Sequence, residues 1–183
     1  MADGFEDVEA VTPIDYLCRA GIEVTTASIS ESQTVTSRWG SIKLITDTTL
    51  FELLKQDDKK NAANWDAVII PGGLPGAENL AKSKEAGLLL KEMAAAGKLI
   101  CAICASPAVV LSPLGLLDEK KFTCYPGLEE KVTKGKWSSD RVVVDSNIIT
   151  SRGAGTAGEF AIAIIEKLLD EAAGKKIADT VLL

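Results

Sequence analysis

The residue of this chain whose type and position best suit nucleophilic chemistry is Cys104. It follows the apolar run Leu99–Ile103, which predicts a buried strand, and it precedes Pro107, a residue type favoured at the start of a helix. The sequence therefore predicts a sharp strand-to-helix turn that places the Cys104 sulfur beside free helix N–H groups. Such surroundings lower the pKa of a thiol and favour the thiolate. The alternative is a small buried cysteine that only fills space.

The chain contains no histidine, which restricts the ways in which Cys104 could be activated. Cys–His and Ser–His pairs and histidine-based metal sites are excluded within the chain. The proton acceptor must be a carboxylate, a tyrosine, water or a group from a partner. Glu6, Asp7 and Glu9 open the predicted first helix, and one of them turned inward would have a raised pKa and donate a hydrogen bond to the thiolate. Alternatively, these acids only favour the helix dipole.

A glycine-rich loop offers a second component of a site. The run Ala67–Ile70 predicts a fully buried strand, and Pro71–Gly76 forms the loop at its end. Adjacent Gly72 and Gly73 allow backbone N–H groups to approach a ligand or the Cys104 sulfur, as an oxyanion site requires. The alternative is a plain turn.

The elements that must position these residues alternate between helices and strands. Phe5–Ala20 has helical periodicity, and Ile22–Ile29 alternates as a β-branched strand does. Because several strands are apolar on both faces, we expect an α/β protein with a mainly parallel sheet between helices. In such sheets the ligand crevice lies at the carboxyl ends of the strands. Four segments meet at that edge: Pro71–Gly76, the Cys104 turn, Tyr125-Pro126 and Arg152–Gly155.

Length and composition indicate one globular domain, residues 1–183. Twenty basic and twenty-six acidic residues give a net charge of −6 without a basic block, which disfavours a nucleic-acid scaffold. No apolar run reaches membrane-spanning length and no signal peptide precedes Asp3, so we expect a cytoplasmic protein without membrane contact. The four cysteines lack the spacing of a disulfide framework, which predicts reduced thiols.

Two short motifs have competing explanations. Cys101 and Cys104 match C-x-x-C, but Cys101 lies within the predicted strand, which disfavours a working dithiol. Gly153-x-Gly155-x-x-Gly158 matches a dinucleotide fingerprint, yet no second strand or ribose-binding acid follows it. Close backbone packing is the better explanation, and we predict neither a cofactor nor a metal site.

Four blocks of the sequence follow one another along nearly the whole chain: Asp3–Pro13, Ile69–Gly73, Ala102–Pro107 and Thr150–Thr156. Together they resemble the ThiJ/PfpI superfamily, and within it the branch of the Parkinson-associated cysteine protein and its bacterial relatives. The resemblance implies a flavodoxin-like three-layer sandwich with helices on both faces of the sheet. It also implies a homodimer.

The same resemblance assigns roles to individual residues. It implies that Cys104 is the nucleophile at an elbow and that Glu9 is the acid paired with it. The backbone N–H groups of Gly73 and Ala105 would line an anion pocket that Gly72 shapes. Arg38 would reach the partner's site across the dimer. Further candidates for the pocket are Tyr125, Arg152 and Glu6.

The chain departs from the family pattern at two positions that bear on activity. Tyr125 stands where the branch commonly has a histidine, and Ala105 stands where the protease-like branch has one. Peptidase activity is therefore disfavoured. The resemblance implies a cysteine-dependent, cofactor-free enzyme of small carbonyls such as methylglyoxal, of the glyoxalase or deglycase type. The alternative is a non-catalytic oxidative-stress sensor or redox-regulated chaperone that uses the same oxidation-sensitive thiolate.

A third departure concerns the start of the fold. The family has a central strand ahead of the Asp3-Gly4 loop, whereas here only Met1 and Ala2 precede it. The absence of an internal strand predicts unpaired backbone groups on its neighbours. A truncated sequence, a missing segment and a strand supplied by another chain are the three explanations.

Overall fold

The computed structural model describes residues 1–55 and 64–183, so the predicted loop Asp57–Asn64 lies outside the described residues except for Asn64. The helices are α1 (Asp7–Arg19), α2 (Leu50–Lys55), α3 (Gly76–Lys82), α4 (Lys84–Ala95), α5 (Ala157–Leu168) and α6 (Glu171–Val181). The strands are β1 (Ala27–Ser28), β2 (Thr34–Thr36), β3 (Lys43–Ile45), β4 (Thr48–Thr49), β5 (Ala67–Ile70), β6 (Leu99–Ile103), β7 (Lys121–Phe122), β8 (Lys136–Trp137), β9 (Val142–Asp145) and β10 (Ile148–Ser151).

The main sheet has the strand order β5-β6-β10-β9. β5, β6 and β10 are parallel, and β9 pairs with β10 in the antiparallel direction. All five residues of β6 are buried, because this strand is paired on both edges and covered on both faces. A parallel strand in that position is apolar throughout, which is the pattern of Leu99–Ile103. β6 thus carries Cys104 to the carboxyl edge of the sheet.

Helices cover the sheet on both faces. α1 packs on α5 and α5 on α6, and α5 also contacts β6, β9 and β10. α2 and α3 pack on α4, which contacts β5 and β6. The predicted α/β class, the mainly parallel sheet and the flavodoxin-like layering are therefore confirmed. In the described part of the chain, no helix is long and apolar enough to cross a membrane.

The first helix is positioned by its N-terminal cap. Glu6 is the capping residue, and its carboxylate accepts a hydrogen bond of 2.8 Å from the backbone N–H of Glu9. The helix runs through Pro13 and ends before Gly21, whose backbone is left-handed with φ of +79°. This start fixes Glu9 in the first turn of α1, on the side that faces the sheet edge.

Two predictions about strands beside the first helix are wrong. Only Ala27–Ser28 of the predicted strand Ile22–Ile29 is paired, through β4. β5 is an edge strand rather than a fully buried one, and three of its four residues are partly exposed. A cavity of about 660 Å³ separates the segment Ile22–Thr26 from β5. A strand exists only where a neighbouring strand shares its hydrogen bonds, and within the described residues the segment 22–25 has no such neighbour.

Candidate active site

The backbone at Cys104 forms the predicted elbow between β6 and the following helical turn. Its φ of +65° lies in the left-handed region, which costs a residue with a side chain about 1–2 kcal/mol. Two hydrogen bonds hold this conformation. The Cys104 N–H donates to the Ser151 carbonyl over 2.9 Å, and the Cys104 carbonyl accepts from the Tyr125 N–H over 2.8 Å. The residue is only 9% exposed.

Glu9 is the buried partner of Cys104. Only 1% of this residue is exposed, and a side-chain hydrogen bond joins its carboxyl group to the Cys104 thiol. The backbone N–H of Gly72 donates to Glu9 Oε2 over 3.0 Å, and the N–H of Ala154 donates to the same carboxyl group. Loops after β5, β6 and β10 therefore all contribute to the surroundings of one carboxyl group.

Burial raises the pKa of both groups of this pair. Removal of water raises the pKa of Glu9 to about 7, and the nearby charge of Glu6 acts in the same direction. The expectation of a raised pKa for a buried acid is thus confirmed. Burial also raises the pKa of Cys104 to about 12, with further contributions from the Glu9 charge and the Glu9 hydrogen bond.

The direction at Cys104 is opposite to the sequence-based expectation. The N–H groups of Gly73 and Ala105 do lower the pKa of Cys104, but they are outweighed by desolvation and by Glu9. Burial and the neighbouring Glu9 therefore favour the thiol over the thiolate at Cys104, beside a carboxyl group that can accept its proton.

Close contacts leave no room for a side chain at Gly72 and Gly73 in the loop after β5. A Cβ atom at Gly72 would lie 2.6 Å from both the Cys104 Cβ and Glu9 Oε2. Gly73 has φ of +91°, and a Cβ there would lie 2.5 Å from the Gly4 carbonyl oxygen. A buried hydrogen bond of 2.6 Å from Ser106 Oγ to the Pro71 carbonyl ties this loop to the elbow. The N–H groups of Gly73 and Ala105 are thereby held beside the Cys104 sulfur.

The remaining candidates lie around this pair rather than in it. Glu6 caps α1 and its N–H donates to the Gly72 carbonyl over 3.1 Å. The exposed Arg38 stacks on Trp39 at 4.5 Å, and Arg152 donates to the Ser139 carbonyl over 3.3 Å. Neither guanidinium is placed against Cys104 within this chain. Tyr125 is 54% exposed and borders Gly153 at the mouth of the site.

Sequence reasoning missed two contributors. Ala154 donates its N–H to Glu9, and Ser106 anchors the loop after β5. The signal for the first was the Gly153-x-Gly155 turn, for which the sequence predicted only close packing. Within the described residues, no three cysteines or carboxylates are grouped as ligands for a metal ion. Cys101 is fully buried inside β6, with its pKa raised well above the ordinary value, and forms no disulfide with Cys104.

The site combines a cysteine on a strand-to-helix elbow with a buried carboxyl group and two N–H groups beside the sulfur. This combination defines a nucleophile-elbow protein of the α/β class. Residues 1–167 match the family model described as the DJ-1/PfpI family, and the chain belongs to this family. This confirms the resemblance deduced from the four sequence blocks.

Relatives and solved structures agree with this assignment. The chain is 42% identical over 184 residues to Protein DJ-1 homolog B of Arabidopsis thaliana, covering 100% of this chain and 40% of the relative. It therefore spans less than half of that relative's length. It is 39% identical to the Glutathione-independent glyoxalase DJR-1.2 of Caenorhabditis elegans, covering 89% of this chain and 82% of the relative. The structure of oxidized Toxoplasma gondii DJ-1 superposes with a TM-score of 0.91 at 39% identity, covering 99% and 94% of the two chains.

Proposed function

We propose that this protein is a cysteine-dependent, cofactor-free enzyme that converts small dicarbonyls such as methylglyoxal into hydroxy acids. The observation that carries the proposal is the hydrogen-bonded pair of Cys104 and Glu9, in which the carboxyl group has a pKa of about 7. A general base is most effective when its pKa lies near the operating pH. The family's Glutathione-independent glyoxalase DJR-1.2 supports the same substrate class.

The first step is addition of the thiol to the aldehyde. As the Cys104 sulfur forms a bond to the aldehyde carbon, the thiol proton passes to Glu9. The carbonyl π electrons move onto oxygen, and the N–H groups of Gly73 and Ala105 lie beside the sulfur, where they can stabilise that oxyanion. Glu9 then returns the proton to the oxyanion, which leaves a neutral hemithioacetal and a carboxylate.

The second step moves a proton between carbons. The Glu9 carboxylate removes the proton from the sulfur-bearing carbon. The electron pair forms a double bond to the adjacent ketone carbon, and the ketone π electrons move onto the ketone oxygen to give an enediolate. The proton of the hemithioacetal hydroxyl passes to that oxygen and Glu9 returns its proton to the second carbon, which gives a thioester of the hydroxy acid. Water then hydrolyses the thioester, releasing lactate and restoring the Cys104 thiol. No electrons are gained or lost overall, because one carbon is oxidised while its neighbour is reduced.

Lactate formation from methylglyoxal in the absence of glutathione tests this function. Cys104→Ser and Glu9→Gln are both expected to abolish turnover, because they remove the nucleophile and the base. The exposed thiol Cys18 provides a control, and Cys18→Ser should retain full activity. Normal turnover by Cys104→Ser would refute the mechanism. The same variants, assayed for sugar release from glycated amino acids, test the deglycase form of the proposal.

A sensor function is the second candidate, and one contact favours it. The two N–H groups directed at the Cys104 sulfur could equally bind the oxygens of a sulfinate. The related Toxoplasma gondii protein was solved in an oxidized form. Mass spectrometry after mild peroxide would detect two oxygens added at Cys104. Selective oxidation without any dicarbonyl turnover would favour a sensor or redox-regulated chaperone over the enzyme.

A homodimer in the cytoplasm completes the proposal. Val8 and Val11 of α1 are 47% and 43% exposed, and the hairpin of β2 and β3 exposes Ile45 at 76%. Exposed apolar side chains on adjoining elements are typical of protein interfaces. Arg38 lies next to this hairpin, in keeping with a role across the dimer. Light scattering would determine the assembly state, and Val11→Glu is expected to produce monomers.

A further inference from the structure

The two carboxyl oxygens of Glu9 have different surroundings. Oε2 accepts from the Gly72 N–H over 3.0 Å, and a Cβ atom at Gly72 would lie only 2.6 Å from it, so the loop after β5 packs tightly against this oxygen. Oε1 faces the turn after β10, where a Cβ atom at Gly153 would lie 3.7 Å from it. That separation is an ordinary van der Waals contact. The carboxyl group of Glu9 therefore has space beside it on the side of Gly153.

Gly153 leaves a small uncovered surface between Glu9 and Tyr125. A Cβ atom at this position would lie 3.6 Å from Cδ2 of the Tyr125 ring, and it would meet no other side chain of the described residues within 4 Å. The backbone does not require glycine here, because its φ of 164° is extended, as residues with side chains also are. The absence of a side chain thus provides room for a bound group between the carboxyl group and the ring.

Tyr125 is held at this place by the elbow itself. Its N–H donates to the Cys104 carbonyl over 2.8 Å, and its own carbonyl accepts from the Leu128 N–H over 3.1 Å. These bonds fix the backbone next to the nucleophile, while the residue remains 54% exposed and its ring is available for contact. An aromatic ring is a flat apolar surface on which another flat group packs favourably.

The charges around this space disfavour an anionic ligand. Glu6 lies close enough to Glu9 for its charge to raise the pKa of Glu9, so two acidic groups are near the site. The Arg152 guanidinium donates to the Ser139 carbonyl, and its charge acts on the Cys124 thiol. In the described part of the chain, an anionic group between Glu9 and Tyr125 would thus meet repulsion without a cation placed to offset it.

The proposed chemistry brings one substituent of the substrate to this space. Cys104 bonds to the aldehyde carbon and Glu9 returns a proton to the adjacent ketone carbon, so both carbons lie beside the Glu9 carboxyl group. The other substituent on the ketone carbon is one bond further from the sulfur. Because Gly72 closes one side of the carboxyl group, this substituent extends across Gly153 towards Tyr125.

We propose that Gly153 and Tyr125 form the subsite for the substituent on the ketone carbon, and that this subsite favours flat, uncharged substituents. The preferred substrates are then 2-oxoaldehydes with an aromatic substituent, such as phenylglyoxal, rather than those with a carboxylate. The identity of the substrate rests on the proposed function, whereas the shape and charge of the subsite do not. Both residues act through contact with the substituent and take no part in proton transfer.

Three bromoketones of the form R–CO–CH2Br measure the subsite without turnover. Bromoacetone, phenacyl bromide and bromopyruvate differ only in R, which is methyl, phenyl or carboxylate. The Cys104 sulfur forms a bond to the CH2 carbon, bromide leaves with the bonding electrons, and the thiol proton passes to Glu9. Peptide mass spectrometry follows modification of Cys104, and each rate is divided by the rate of the same reagent with N-acetylcysteine. We expect this relative rate to be about fivefold higher for phenyl than for methyl, and about fivefold lower for carboxylate.

Four variants locate the selectivity. Tyr125→Ala should remove the preference for phenyl over methyl, whereas Tyr125→Phe should keep it because the ring suffices. Gly153→Ala should slow the reaction with phenacyl bromide by about tenfold, since the added methyl group occupies the space. Gly155→Ala lies in the same turn with open space around it, and it should react as the wild type does.

Two results would overturn the proposal: equal relative rates for phenyl and methyl in the wild type, or a preference that survives Tyr125→Ala. Both are measurable even if Gly153→Ala fails to fold. A fastest reaction with bromopyruvate would overturn it as well. Because alkylation needs only the thiol, selective alkylation without lactate formation would contradict the proposed function and support the subsite. Turnover with equal kcat/KM for phenylglyoxal and methylglyoxal would contradict the subsite alone.

Discussion

Replacement of Glu9 by glutamine should make the protein more stable at high pH and leave it unchanged at low pH. Glutamine keeps the shape of the side chain, can accept from the Gly72 N–H and can donate to the Cys104 sulfur, but it carries no charge. In the wild type, burial raises the pKa of Glu9 from 4.5 to about 7. Because the folded value exceeds the unfolded one, ionisation of Glu9 opposes folding.

The magnitude follows from that difference in pKa. Each factor of ten in the protonation equilibrium corresponds to about 1.4 kcal/mol, so the ionised carboxylate costs about 3 kcal/mol of folding free energy. This cost is absent below pH 4.5, grows between pH 4.5 and about 7, and is complete above that value. Glu9→Gln should therefore gain about 3 kcal/mol over the wild type at pH 9 and almost nothing at pH 4.

Urea denaturation of both proteins at pH 4 and pH 9 measures this quantity as a difference. Other titrating groups affect the two proteins alike, so they cancel in the comparison. Glu92→Gln, at an exposed position of α4, is a matched control and should show no pH-dependent difference. A Glu9→Gln gain that is the same at both pH values would refute the conclusion that burial opposes the charge of Glu9. A wild type more stable than the variant at pH 9 would refute it as well.

Three further predictions concern the same site. The rate of Cys104 alkylation by iodoacetamide should rise as the pH passes about 7, because Glu9 then becomes a base. Glu9→Gln should lower this rate by about 10²-fold at pH 8. A faster reaction in the variant would mean that charge repulsion between Glu9 and the thiolate dominates. Gly72→Ala should lower stability by about 1–3 kcal/mol in urea denaturation and abolish turnover, whereas Gly155→Ala, with open space around it, should do neither. Ser106→Ala should cost about 1–3 kcal/mol, because the buried Pro71 carbonyl loses its partner; an unchanged urea midpoint would contradict this.

The elbow could be predicted from sequence because its determinants are local. An apolar run before Cys104 and a proline after it fix a strand, a turn and a helix within a few residues. The pairing of Glu9 with Cys104 is different, since the two positions are far apart in the chain and only the family resemblance joined them. The contact of Ala154 with Glu9 could not be predicted for the same reason. The sequence indicated the turn that contains Ala154, but not the distant residue that this turn contacts.

Predictions that treated one effect in isolation were the ones that were wrong. A helix N-terminus does lower a thiol pKa, yet at Cys104 the loss of water and the adjacent Glu9 outweigh it. The alternating run Ile22–Ile29 has the composition of a strand, but pairing needs a neighbour, and residues 22–25 line a cavity instead. Both errors arose from interactions that a linear pattern does not contain.

At Cys104 the left-handed backbone lowers stability for any residue with a side chain, whereas the proposed chemistry requires the cysteine side chain. A residue without a Cβ adopts φ of +65° more easily, so Cys104→Gly should be about 1 kcal/mol more stable than Cys104→Ala by urea denaturation, although both lack the sulfur. In a library of variants, a screen for abundance would rank glycine above alanine at this position. A screen for turnover would reject both equally. Disagreement between the two screens would mark the positions that are retained for reactivity rather than for structure.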